Sequence, residues 1–213
     1  MKSRKPKVKI INKKNTYIGE GVTFGENVTI YEGNHIDGDT YIGDGTILLP
    51  NNFIVSSNIG ENCKVHASVI ENGKIDANAS IGPYARIRPG TEIQENVKIG
   101  NFCEIKNSKI GANTKISHLV YVGDSEVGKN CNIGCGTIFV NYNGKSKSKT
   151  IVGDNCFIGS NCNLIAPLKI ADNVYICAGT TVVNDCSDGS FIIGRVRAEE
   201  KPGKAKDYLK GAE

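Results

Sequence analysis

Apolar residues recur along this chain at every sixth position, separated by polar or small ones. The first series runs Ile18, Phe24, Ile30, Ile36, Ile42, Leu48 and Ile54, then takes a five-residue step to Ile59. The second is Ile81, Ile87, Ile93, Ile99 and Ile105; it passes through five-residue steps at Ile110 and Val127 and resumes at Ile133 and Phe139. The third is Val152, Ile158, Leu164, Ile170, Ile176 and Val182. A period of six matches neither the α-helical turn nor the alternation of a hairpin meander. It suits short parallel strands, three to a turn, so that eighteen residues make one rung of a triangular prism. Each wall residue points inward, and the Gly or Asp that often follows it eases the corner. The expected fold class is all-β, a parallel β-helix of roughly nine or ten rungs, with successive rungs ~4.8 Å apart.

The period breaks once. Phe139 to Val152 is thirteen residues where six would do, so residues 140–151 (VNYNGKSKSKTI) must leave the prism as an inserted loop. Loops on a rigid scaffold commonly carry function. The organisation predicted is a basic N-terminal segment 1–10, a β-helix over 11–195, and a charged C-terminal tail 196–213, with a short helix over Lys204–Lys210.

Composition narrows the class. Gly stands at 25 residues and Trp is absent, unlike a helical bundle. Net charge is +4, and residues 1–18 hold seven Lys or Arg and no acid. Without accompanying aromatic or basic surface motifs, that stretch reads as a solvated tail rather than a nucleic-acid arm. No secretory h-region and no apolar run near the ~20 residues of a membrane span is present, so a cytoplasmic protein without membrane attachment is expected. Of eight Cys, six (Cys63, Cys103, Cys131, Cys156, Cys162, Cys186) lie four positions after a wall residue. Small buried thiols suit that position, and neither disulfides nor metal are expected of them.

Counting by rungs aligns further residues. Arg88 and Lys106, each following a wall residue and eighteen apart, should stack at one corner with Tyr121 one rung on. Two stacked cations repel unless an anion joins them, which suggests a phosphate clamp. His118, two after Ile116, should begin a column continued by Cys135, Ser160 and Ala178. Three steps of such a column span ~14 Å, the length of a pantetheine arm. Arg195, in GRVR, can meet a phosphate beyond its end.

At these residues the sequence resembles a known family. RIRPGT, GNFCEIKNS, HLVYVGD, NIGCGT, NYNGKSKSKT, FIGSN, ICAGTT and IGRVR, over residues 82–195, are similar to the C-terminal domain of the bacterial bifunctional glucosamine-1-phosphate N-acetyltransferase / N-acetylglucosamine-1-phosphate uridyltransferase. Residues 11–80 look like its opening rungs. The resemblance implies a left-handed helix, a homotrimer with sites between subunits, and acetyl transfer from acetyl-CoA to glucosamine-1-phosphate, without a metal. His118 matches the general base. Arg88, Lys106, Tyr121 and Asn132 match the sugar-phosphate site, while Asn141, Tyr142, Ser160, Ala178 and Arg195 match acetyl-CoA contacts. Cys135 stands at a cofactor position where the family usually has Ala, and Asn143 replaces a usual Asp. No nucleotidyltransferase motif opens the chain, so uridyl transfer is not expected.

The chemistry implied is attack of a neutral amine on a thioester, with an imidazole near its unperturbed pKa of about 6.5 accepting the proton. Glu104 lies two residues before Lys106, and its contact with the imidazole is left open. Three other readings stay open: acetylation of a different amino sugar, a non-catalytic scaffold, and a zinc hydratase. The last needs three converging His; His35, His66 and His118 occupy different places in the hexapeptide and do not share a seam, which argues against it.

Overall fold

The computed structural model describes residues 7–209 and residue 211. Strands of two to four residues wind into three parallel sheets of eleven, ten and nine strands. Consecutive strands visit the first, second and third sheet in turn, so each sheet gathers every third strand. The solenoid is left-handed, with about ten turns.

The wall follows the period of six. Ile81, Ile99, Ile116, Ile133, Ile158 and Ile176 stack in register in the first sheet. Ile87, Ile105 and Val122 stack in the second, with Phe139 further up the same sheet. Ile93, Ile110, Val127 and Val152 stack in the third. These side chains are within 3% of full burial. Each contributes about 1.5–3 kcal/mol of apolar transfer, and stacking identical aliphatics avoids the voids that unlike neighbours leave. The six cysteines of the repeat are buried free thiols, as expected. Desolvation pushes Cys63 up to about 11, which keeps it a protonated, inert hydrophobe.

Corners need left-handed backbone, and asparagine and glycine supply most of it. Between the third and first sheets, Asn78, Asn96, Asn113, Asn130, Asn155 and Asn173 all have φ near +60°. Their amides form a ladder: Asn113 donates to Asn130 at 3.2 Å, Asn130 to Asn155 at 3.1 Å, Asn155 to Asn173 at 3.3 Å, and Asn173 to Asp188 at 3.0 Å. Between the first and second sheets the corner is unlike this. Tyr84, Phe102 and Leu119 hold φ of 59°, 55° and 51° there, with 57–60% of their surface exposed.

The boundaries differ from expectation in three places. The first strand is Val8–Ile10, inside the segment read as a tail, because Val8 and Ile10 pair with Val28 and Ile30 and extend the wall by a rung. The inserted loop is 141–149, since Val140 and Thr150 already belong to ladder strands. The C-terminal helix is a single 3-10 turn, Lys204–Asp207, and Lys210 lies outside the described residues.

Candidate functional site

Among the described residues two strands are four residues long, Lys98–Asn101 and Lys115–His118. Their pairing continues to Asn101 beside His118, one position further round the corner than in most rungs. The imidazole is exposed, and its Nδ1 lies 2.6 Å from Oδ1 of Asn101. Above it the register Ile116, Ile133, Ile158, Ile176 stacks Cys135, Ser160 and Ala178 in the column that counting predicts. Cys135 is half-buried, while the other seven thiols are buried. At the column's head, the Arg195 guanidinium donates to the Ala178 carbonyl at 3.1 Å. Asn132 lies on the outer surface of the same sheet, above Lys115 and below Phe157.

Arg88 and Lys106 do stand one rung apart on the second sheet. The clamp nevertheless differs from the one expected. Arg88 donates to Glu104 at 2.7 Å, and Lys106 donates to Asp124 at 3.2 and 3.3 Å, so each cation already has a carboxylate. Strand alternation brings Glu104 diagonal to Arg88, and the left-handed backbone of Asp124 itself (φ 50°), one rung up, lets its carboxylate meet Lys106. Glu104 therefore pairs with Arg88 and has no hydrogen bond to the imidazole. The Glu104 hydrogen bond raises the Arg88 pKa. Tyr121 is in register with Glu104 and Lys106 with Gly123, but the phenol runs along the strand over Gly123, and its hydroxyl lies 3.5 Å from the Asn141 amide that donates to Asp124, so it reaches the cation corner as expected. His118 and the cations occupy adjoining faces, not one corner.

Asp124 gathers the surrounding donors. Besides Lys106 it accepts from Asn107 Nδ2 at 2.7 Å and from Asn141 Nδ2 at 2.5 Å. Burial works to raise its pKa, but the hydrogen bonds from Asn107, Asn141 and Lys106 win, and the carboxyl sits below its ordinary value. Asn141 also reaches the Tyr121 hydroxyl at 3.5 Å, so the loop is fastened to the second sheet. The loop itself is ordered by Asn143, whose Oδ1 accepts from the N–H groups of Lys145 (2.9 Å) and Ser146 (2.8 Å). An Asp would accept the same two bonds. The Tyr142 hydroxyl donates to the Gly144 carbonyl at 2.7 Å. Lys147, Ser148 and Lys149 overhang a groove of about 390 Å³ floored by Asn107, Ser108 and Ser125.

Three residues here escaped the sequence reading. Asn101 lies one rung below His118 in its own column; counting downward gives that place but not the contact. Asp124 closes HLVYVGD, a polar residue after a glycine, but its hub role depends on the corner's backbone. Lys147 comes close enough to Lys106 that the neighbouring ammonium holds the Lys147 pKa below the ordinary lysine value, and only the loop's return path reveals it. Among the described residues no group of three His, Cys, Asp or Glu is placed to hold a metal. His35 sits in a stack between Tyr17 and Phe53, far down the second sheet from the rung of His118.

Comparison with known proteins bears on this geometry. A model described as the GMPPB C-terminal domain matches residues 69–143, and one described as bacterial transferase hexapeptide (six repeats) matches residues 149–184. The bifunctional protein GlmU of Clostridium kluyveri is 50% identical over 204 residues, 96% of this chain and 44% of the relative. The chain is homologous to the C-terminal part of the bifunctional GlmU proteins. GlmU of Listeria monocytogenes serotype 4b is 45% identical, over 96% of this chain and 45% of the relative. The chain thus spans under half the length of these GlmU relatives, yet at that coverage the match includes the His118 column and the loop. Among solved structures, Arabidopsis UDP-N-acetylglucosamine acyltransferase aligns with a TM-score of 0.54 at 22% identity, over 87% of this chain and 69% of that one. A GDP-perosamine N-acetyltransferase mutant from Caulobacter crescentus, in complex with CoA and GDP-perosamine, has a TM-score of 0.50 at 24% identity, over 57% of each chain. These neighbours share the solenoid fold with the GlmU-like chain. No helix of the described residues is long and apolar enough to cross a membrane.

Proposed function

We propose that the chain moves the acetyl group of acetyl-CoA to the amine of glucosamine-1-phosphate, giving N-acetylglucosamine-1-phosphate for UDP-N-acetylglucosamine and cell-wall synthesis in the cytoplasm. One observation carries this reading: an outward imidazole at the lower end of an in-register column of small side chains, in a chain 50% identical to GlmU.

In this mechanism the thioester arm lies along Cys135, Ser160 and Ala178, with Arg195 near its phosphate end and Asn141 and Tyr142 beside it. The sugar phosphate is held by Arg88 and Lys106, with Tyr121 and Asn132 against the sugar. Glu104 and Asp124 keep the two cations oriented before substrate arrives, which lowers the ordering needed on binding. Lys147 and Lys106 are two neighbouring cations whose mutual repulsion a dianion entering between them would relieve. The amine nitrogen attacks the thioester carbonyl. A C–N bond forms, the C–S bond breaks, and His118 takes the proton that the thiolate of CoA finally receives. A backbone N–H of the Asn141–Tyr142 segment is the candidate donor to the tetrahedral oxyanion.

The same reading makes the protein a homotrimer with sites between subunits. The exposed Tyr84–Phe102–Leu119 corner supports it, because that corner adjoins His118 and bulky residues rarely hold left-handed backbone in isolation. Free-thiol release from acetyl-CoA should appear with glucosamine-1-phosphate and stay at background with nucleotide-linked amino sugars. Release with a nucleotide-linked acceptor alone would move the assignment to a different amino sugar. Release with none of them would leave a scaffold.

A further inference from the structure

We infer that Asn101 is a positioning residue that sets the tautomer of His118. The inference rests on the reading of His118 as the base. Oδ1 of Asn101 stands 2.6 Å from Nδ1. An amide oxygen has only lone pairs to offer, so the short contact requires the proton on Nδ1 and leaves the lone pair on Nε2. An imidazole in the opposite tautomer would put two acceptors face to face.

The surrounding backbone holds this contact in place. The Leu119 N–H donates to the Asn101 carbonyl at 3.0 Å, so both oxygens of Asn101 grip the 118–119 segment. A Cβ on Gly100 would stand 2.0 Å from the Ser117 carbonyl oxygen, so only glycine lets the two strands lie this close just before the contact. Other polar and charged groups leave the ring to Asn101. Glu104 is bound to Arg88 and Asp124 to Lys106 on the adjoining sheet, and Cys135 is the ring's neighbour one rung up. A neutral partner orients the ring without the added charge stabilisation of a carboxylate.

The test needs no assumption about the acceptor. Three histidines make a 15N-histidine NMR spectrum simple, and His118→Ala assigns its signals. The native protein should show Nδ1 protonated and Nε2 bare, and Asn101→Ala should shift His118 toward the Nε2–H form that a free side chain favours. Nε2–H already dominant in the native protein overturns the inference. In the acetylation assay Asn101→Ala should lose roughly tenfold in kcat with KM little changed. Asn101→Asp should keep most of kcat and move the acid limb of the kcat–pH profile upward. An Asn101→Ala variant with native kcat and native tautomer also overturns it. A tautomer shift in a protein that acetylates none of the acceptors keeps the positioning contact and refutes only the catalytic reading.

Discussion

At the scale of single residues, environment sorts side chains of one type into different roles. Seven cysteines are buried, and Cys135 alone is partly open, so one thiol per folded chain should react with a disulfide reagent and eight after unfolding. Acetyl-CoA should protect that thiol, and Cys135→Ala should abolish the native reaction. Substituting His118 with alanine should lower turnover by roughly 10²–10⁴. The thermal midpoint should hardly move, because the residue is exposed. Asp124 behaves differently, since it ties three donors together. Its folded pKa lies below the ordinary 3.8, so its stabilisation is present above that value and fades as pH falls through the folded one. Urea unfolding should find Asp124→Asn about 1–2 kcal/mol weaker near neutrality, with the gap closing in acid. A gap independent of pH would mean that the carboxylate charge is not what counts.

At the scale of the strand and its corner, geometry repeats more strictly than sequence. Asn130 combines φ of 56° with two ladder hydrogen bonds. Asn130→Gly loses the amides but keeps the backbone, whereas Asn130→Val must force a β-branched residue into left-handed space. The second should cost roughly 2–3 kcal/mol more. Calorimetry should separate the two variants by roughly 5 °C or more; equal midpoints would show that the ladder, not the backbone, dominates. The inserted loop shows how an element acquires a fixed course. Asn141 is fastened to Asp124 and Tyr121, and the segment returns to the third sheet through Thr150. Of its exposed lysines, Lys147 is thereby brought near Lys106, while Lys149 pairs with Glu126 on the third sheet.

At the scale of the molecule, one exposed corner and one exposed column adjoin. Sedimentation should give three times the chain mass of 22.9 kDa. Phe102→Glu should reduce that to one chain, and it should reduce activity in the same proportion if the sites lie between subunits. A monomeric wild type, or a trimeric Phe102→Glu variant, would place the interface elsewhere. The wall, the buried thiols, the insertion and the His118 column could all be read by counting, because every rung uses the same short strand and an inward residue dictates where its neighbours point. The pairing of Arg88 with Glu104, the Asp124 hub and the Asn101 contact could not. They depend on diagonal contacts across an ordinary rung, as for Arg88 and Glu104, on five-residue steps that bring residues seventeen apart into register, on corner residues turned to positive φ, and on a loop that folds back. Periodicity therefore determined which face each side chain occupies. Only the tertiary structure decided which of them touch, since a hydrogen bond is made or lost within a fraction of an ångström and no repeat specifies position that finely.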